Sequence, residues 1–205
     1  MKEVCLALAR FRNDKKEAIS KNFINLAEGI ACKGYPVSTY TPTKFKTLSP
    51  IRQHYHRKVS LYSSLHESLQ SLYQICRKIN KRQELYSVIN FHIATPIELF
   101  FLYLLLDRRI RKRTAISIWQ SYLTYKEFKS NFRYFSKNLI KYIHIILLNS
   151  FISAIFYKLF IATFGKIIVH SIYLREQLIH LTAQDVAFVQ NGVLPEATSI
   201  PGRPE

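Results

Sequence analysis

The chain has 205 residues, enough for one sizeable core or at most two small domains. Its 48% apolar and 21% charged residues exclude a disordered chain, which would lack the apolar surface to offset ordering entropy. Lys and Arg number 30 against 13 Asp plus Glu, a net charge of +17, so the favoured partners are anionic: phosphates, nucleic acid or an acidic membrane surface.

Residues 4–9 form a short apolar run compatible with a buried strand, and residues 10–13 are the polar turn after it. Asp14 and Glu17 have capping-box spacing. Phe23, Leu26, Ala27, Ile30 and Ala31 then mark an amphipathic helix that ends at Gly34, a natural residue for a helix terminus. Residues 37–41 are the next strand, stopped by Pro42. Strand, helix, glycine and strand within about forty residues is the βαβ signature of a parallel sheet.

Residues 42–57 are basic and Pro-bearing and are expected to be a loop. Leu61, Leu65, Leu69, Leu72 and Ile75 or Cys76 give residues 59–79 a helical period. Residues 86–93 are a strand, Pro96 opens an apolar helix through Leu106, and residues 115–119 are a further strand. The Arg and Lys run at 108–113 separates the last two as a solvated loop, its cations favourable near a helix C-terminus. Residues 132–165 are helical. Their part from 142 to 164 is apolar on nearly every side, but His144, Asn149, Ser150 and Lys158 interrupt it below the roughly 18 to 20 apolar residues of a membrane span. Arg133, Lys137 and Lys141 give it a basic entry suited to an anionic lipid surface.

The chain then reads K-I-I-V-H-S-I-Y-L-R-E-Q-L from Lys166: a strand, Ser171 as helix N-cap, and Leu174, Leu178 and Leu181 at helical spacing. A short strand with Val186 and Phe188 precedes the turn dipeptide Asn191-Gly192. The expected organisation is one α/β, doubly wound, Rossmann-like domain with a mainly parallel sheet over residues 1–193, followed by a Pro-rich tail or interdomain linker at 194–205.

Cys5, Cys32 and Cys76 are odd in number and lack C-x-x-C spacing, so buried reduced thiols in a cytoplasmic chain are expected. The first apolar run is too short for a signal peptide. His54-x-His56 has no carboxylate or thiol nearby and cationic surroundings, so no metal is expected. Nucleotide-triphosphatase and hydrolase motifs are absent, and no DNA or RNA module is recognisable, so nucleic acid is not an expected partner.

The ordered set N-L-A-E-G-I-A-C-K-G-Y-P-V from Asn25, I-N-F-H ending at His92, V-H-S-I-Y-L-R-E-Q-L from Val169 and V-Q-N-G-V from Val189 resembles the N-terminal half of family 4 glycosyltransferases of the GT-B fold. The resemblance implies the acceptor-binding half of an enzyme that moves sugar from a nucleotide-sugar cosubstrate, with no resident cofactor. The donor half, with its paired glutamates, has no counterpart here. Either the sequence is a fragment, or a separate donor-binding domain or subunit is its partner, or the activity is gone; a sugar or lipid-linked acceptor is the other expected partner, and the isolated chain is expected to be inactive. Glu17-Ala18 stands where the family has Gly-Gly, and Gln120 where many members have His, so a proton-exchanging base is missing at that position.

In an open parallel sheet the ligand sits beyond the carboxyl ends of the strands. His92 is the candidate catalytic residue there, as a base or as a ligand for an acceptor hydroxyl. Arg12, Lys15, Thr95, Gln120, Ser121 and Asn191 are candidates for binding acceptor or phosphate. The alternative is an inactive binding or scaffold module that uses its basic surface for anionic lipid or other polyanions, peripheral at the cytosolic membrane face.

Overall fold

Parallel strands require each connection to cross back over the sheet, and the chain meets that requirement with helices at most crossings. The computed structural model describes residues 2–9, 18–55, 65–93, 96–118, 151–181 and 186–189. Among these, β1 (Glu3–Leu8), β2 (Val37–Thr41), β3 (Arg52–Tyr55), β4 (Tyr86–Ile93), β5 (Thr114–Ile118), β6 (Lys166–Val169) and β7 (Val186–Phe188) form one sheet. Its order is β3-β2-β1-β4-β5-β6-β7, and every pairing is parallel. The described helices are α1 (Ala18–Cys32), α2 (Leu65–Lys81), α3 (Pro96–Leu105), α4 (Arg108–Arg111), α5 (Phe151–Phe160) and α6 (Ile172–Leu181).

Progress across the sheet reverses between β1 and β4. Because crossovers are right-handed, that reversal sends the helices on either side of it to opposite faces. The strand alternation agrees. Leu6 and Leu8 point to one face and pack with Phe23 and Ala27 of α1. Cys5 and Ala7 point to the other, into a core with Leu72 and Ile75 of α2, Leu99 and Leu102 of α3, Tyr157 of α5 and Leu174 of α6. Each fully buried Leu, Ile or Phe there contributes about 1.5–3 kcal/mol relative to exposure. The doubly wound α/β fold expected from the sequence is the one observed.

Two expectations are corrected. Residues 42–57 are not loop throughout, since Arg52–Tyr55 is a parallel edge strand on β2. Its four residues lack apolar alternation, and side chains hold it in place: His54 stacks on Tyr40 at 4.6 Å, and Arg52 reaches Glu3 at 2.6 Å. The connection before it carries no helix among its residues. Instead the Glu28 carboxylate accepts the Leu48 and Ser49 amides at 2.6 and 3.0 Å. The Gln53 amide pairs with both backbone groups of Phe45, and the Phe45 ring is buried against Phe23. The second correction is at 108–113, where Arg108–Arg111 forms a single helical turn anchored by buried Ile110.

The expected helix at 14–34 begins at Ala18 as described and ends with Gly34 at φ 84°, the left-handed conformation that favours glycine. Asp14 and Glu17 lie outside the described residues. Of the long apolar helical region, residues 132–150 also lie outside them. Phe160, at the end of α5, packs on Phe100 and Tyr103 of α3 with ring centroids 5.1 and 4.9 Å apart. Among the described residues no helix is long and apolar enough to cross a membrane. Cys5 and Cys76 are buried, and burial raises both thiol pKa values, whereas Cys32 is exposed rather than buried as expected.

Candidate functional site

Where strand order reverses, the helices leave the sheet to opposite sides, and it is beyond the carboxyl ends of the strands at such a point that open α/β sheets place a ligand crevice. His92 is at that point. It is the penultimate residue of β4, in register with Leu8 on β1 and Ser117 on β5. Its ring meets Phe23 of α1 edge-on, 5.2 Å between centroids, so it lies on the α1 face.

Strands buried on both faces of a parallel sheet are ordinarily apolar at nearly every position. On the α1 face of β4 and β5 the chain departs from that rule. Asn90, His92 and Ser117 are all buried, and the Ser117 hydroxyl donates to Asn90 Oδ1 at 3.0 Å. One strand further, Ile168 is level with Ser117. Two residues on, just after β6, His170 places Nδ1 3.1 Å from the Val189 carbonyl oxygen. A carbonyl only accepts, so Nδ1 carries the proton of this bond. Three strands thus contribute polar side chains to one patch at the reversal.

The electrostatics of His92 are set by its surroundings. Burial first, and then the charge of His170, lower its pKa from 6.5 to about 3. The ring is therefore neutral near neutral pH: a hydrogen-bonding group, and a weak acceptor of protons. Ser171 caps α6, its hydroxyl oxygen accepting the Leu174 amide at 3.4 Å, as its place before a helical run implied.

Of the residues singled out from the sequence, His92 alone falls among the described ones. Arg12, Lys15, Thr95, Gln120, Ser121 and Asn191 lie outside them. Asn90, Ser117 and His170 were not anticipated. The signal for the first two was available, as polar residues inside strands otherwise apolar; the signal for His170 needed the register.

A second polar group lies on the α2 face. The hydroxyls of Tyr40 and Tyr86 are hydrogen-bonded at 2.5 Å, His54 stacks on Tyr40, and Glu3 takes both Ser38 and Arg52. Burial, followed by the charges of Arg82, Lys78 and Arg52, lowers the His54 pKa. These contacts tie β3 to the sheet.

A scan against protein-family models finds no match, and a search of curated proteins finds no similar sequence.

Proposed function

We propose that the chain is the acceptor-binding half of a nucleotide-sugar-dependent glycosyltransferase, completed by a donor-binding domain or partner subunit. The observation that carries this reading is the patch of Asn90, His92, Ser117 and His170 at the reversal of strand order. Neutral amide, hydroxyl and imidazole groups suit sugar hydroxyls, which both donate and accept hydrogen bonds. The resemblance of the ordered motifs to family 4 glycosyltransferases supports the same assignment.

In this reading the acceptor hydroxyl attacks the anomeric carbon while the bond to the nucleotide diphosphate breaks; the hydroxyl proton passes to a phosphate oxygen of the leaving group, and the diphosphate departs toward the donor half. His92 orients the acceptor side. Held neutral down to about pH 3, it takes a proton poorly, so orientation rather than proton removal is its contribution. Arg12, Lys15, Thr95, Gln120, Ser121 and Asn191 are proposed to complete the acceptor and phosphate contacts. An anionic membrane surface on the cytosolic side is the proposed setting.

The low proton affinity of His92 also favours a second reading, a binding module without chemistry. The two separate in one assay: tagged chain is copurified with its partners from its own cells and supplied with a panel of nucleotide sugars. Transfer that is lost in a Ser117→Val, Asn90→Leu variant supports the glycosyltransferase. An eluate with neither transfer nor hydrolysis leaves the binding module.

A further inference from the structure

The amino ends of parallel strands share one edge of the sheet, so each segment that precedes a strand delivers its side chains to the same place. Those segments are rich in cations. Lys33 precedes β2, Lys81 and Arg82 precede β4, Arg108, Arg109 and Lys112 precede β5, and all six are exposed. Spread along the sequence, they look like ordinary solvated charges; the topology gathers them. The acids near this edge are Glu3, Glu28, Glu84 and Asp107; Glu3 is already bound by Arg52, and Glu28 by the Leu48 and Ser49 amides.

Helix dipoles account for part of the pattern, since Lys78 and Lys81 lie in the last turn of α2. They do not account for the apolar side chains exposed among the cations. Leu48 before β3 is 101% exposed, Tyr35 before β2 53%, and Leu85 before β4 47%. Leu104 and Leu159, in the last turns of α3 and α5, approach the same edge and are also exposed. Leucine left in water forgoes the free energy of burial at several points of a single edge.

We propose that the amino edge of the sheet is a docking surface for an anionic lipid bilayer. Its cations meet the headgroup charges, and Leu48, Leu85 and Tyr35 enter the boundary between headgroups and acyl chains. A nucleic acid would use the cations, but it stacks bases on aromatic rings, and the exposed apolar groups here are chiefly leucine. The inference deepens the lipid-surface part of the function proposed above and rests on it only there. Its cations are other than Arg133, Lys137 and Lys141, which the sequence suggested for lipid contact.

Docked in this way, the carboxyl edge faces water. The eight residues of β4 span roughly 26 Å at strand rise, so the crevice with His92 stands about that far above the headgroups. The acceptor it receives is then a water-borne group or the distal part of a long headgroup.

Flotation of the full chain with phosphatidylcholine vesicles, with and without phosphatidylserine, tests the proposal. The chain is expected to float with the anionic vesicles and to be released by salt. Each cation at the surface is worth roughly a fivefold change in partitioning, so the triple variant R108Q, R109Q, K112Q should bind on the order of a hundredfold more weakly. Leu48→Ser with Leu85→Ser keeps the charge and should weaken binding by about tenfold. Ile172→Ser with Tyr173→Ser, exposed at the start of α6 on the opposite edge, should bind as wild type. All substituted side chains are exposed, and unchanged thermal melts establish that the variants fold.

Equal flotation with both vesicles, or loss of binding in the Ile172, Tyr173 variant in place of the triple variant, overturns the proposal. So does an oligonucleotide that binds saturably, is weakened by the triple variant and is indifferent to the leucine pair, which would make the edge a nucleic-acid surface. Failure here leaves the sugar-binding crevice untouched, because its test is transfer.

Discussion

Substituting three glycines with alanine gives effects of different sign and size, and the structure sets each. At Gly165 an added Cβ would overlap the Lys112 carbonyl oxygen and come within 2.9 Å of its carbon. The Gly165 amide also donates to the carbonyls of Arg111 and Thr114, both at 3.0 Å, so the backbone cannot retreat without loosening the start of β5. Overpacking costs about 1–3 kcal/mol and each weakened hydrogen bond about 1 kcal/mol, giving about 3 kcal/mol for Gly165→Ala. Gly29 lies within α1 with nothing within 4 Å of a new Cβ, so Gly29→Ala should stabilise by about 0.5–1 kcal/mol through helix propensity. Gly34 also has open space but sits at φ 84°, so Gly34→Ala should cost about 1 kcal/mol through backbone strain. Urea unfolding followed by circular dichroism reads all three. With a slope of about 2–3 kcal/mol per molar, Gly165→Ala lowers the midpoint by about 1–1.5 M. A Gly165→Ala protein at least as stable as Gly34→Ala would refute the close approach of the Lys112 carbonyl, and with it the junction of β5 and β6.

The His92 ring provides a pH test. Its folded pKa of about 3 lies below the ordinary 6.5, so the unfolded chain takes the proton first, and stability is full above about pH 6.5 and falls as the pH drops toward 3. The slope from this one group approaches about 1.4 kcal/mol per pH unit, and His92→Leu should remove it; parallel stability curves for wild type and variant between pH 6 and 4 would contradict the burial of the ring. Glu28→Ala removes the carboxylate that accepts two loop amides. It should cost about 2 kcal/mol and speed hydrogen exchange at Leu48 and Ser49, and unchanged exchange there would mean that the loop is held by other contacts. Ser117→Ala leaves Asn90 Oδ1 without its buried donor and should cost about 1–2 kcal/mol, whereas a neutral effect would place water at that position.

Much of the fold was legible because its strands are apolar and its helices periodic. β2 and β4 were read at the observed boundaries, and Gly34 marked the end of α1. β3 was missed for a physical reason. Its four residues R-Q-H-Y carry no apolar period, and their place in the sheet comes from side-chain contacts with Glu3, Tyr40 and Phe45, none of which the segment itself announces. Arg108–Arg111 was read as loop because its charges conceal the single anchor, Ile110. The candidate site was legible only at His92. Asn90 and Ser117 become a pair once β4 and β5 are aligned in register, and His170 joins them through a strand that adds one more step. The same logic applies to the amino edge, where Lys33, Arg82 and Arg108 become neighbours through strand order alone.

Binding of sugar hydroxyls at the reversal of strand order can be read at the imidazoles there. The chain has 7 histidines, few enough for selective nitrogen-15 labelling and resonance assignment by single substitutions. Titration with a panel of free sugars, glycosides and nucleotide sugars should shift the His92 and His170 ring signals saturably with one member and leave His54 and His180 in place. Ring signals of His92 and His170 that stay fixed across the panel, or a saturable shift confined to His54, would contradict the assignment of the site.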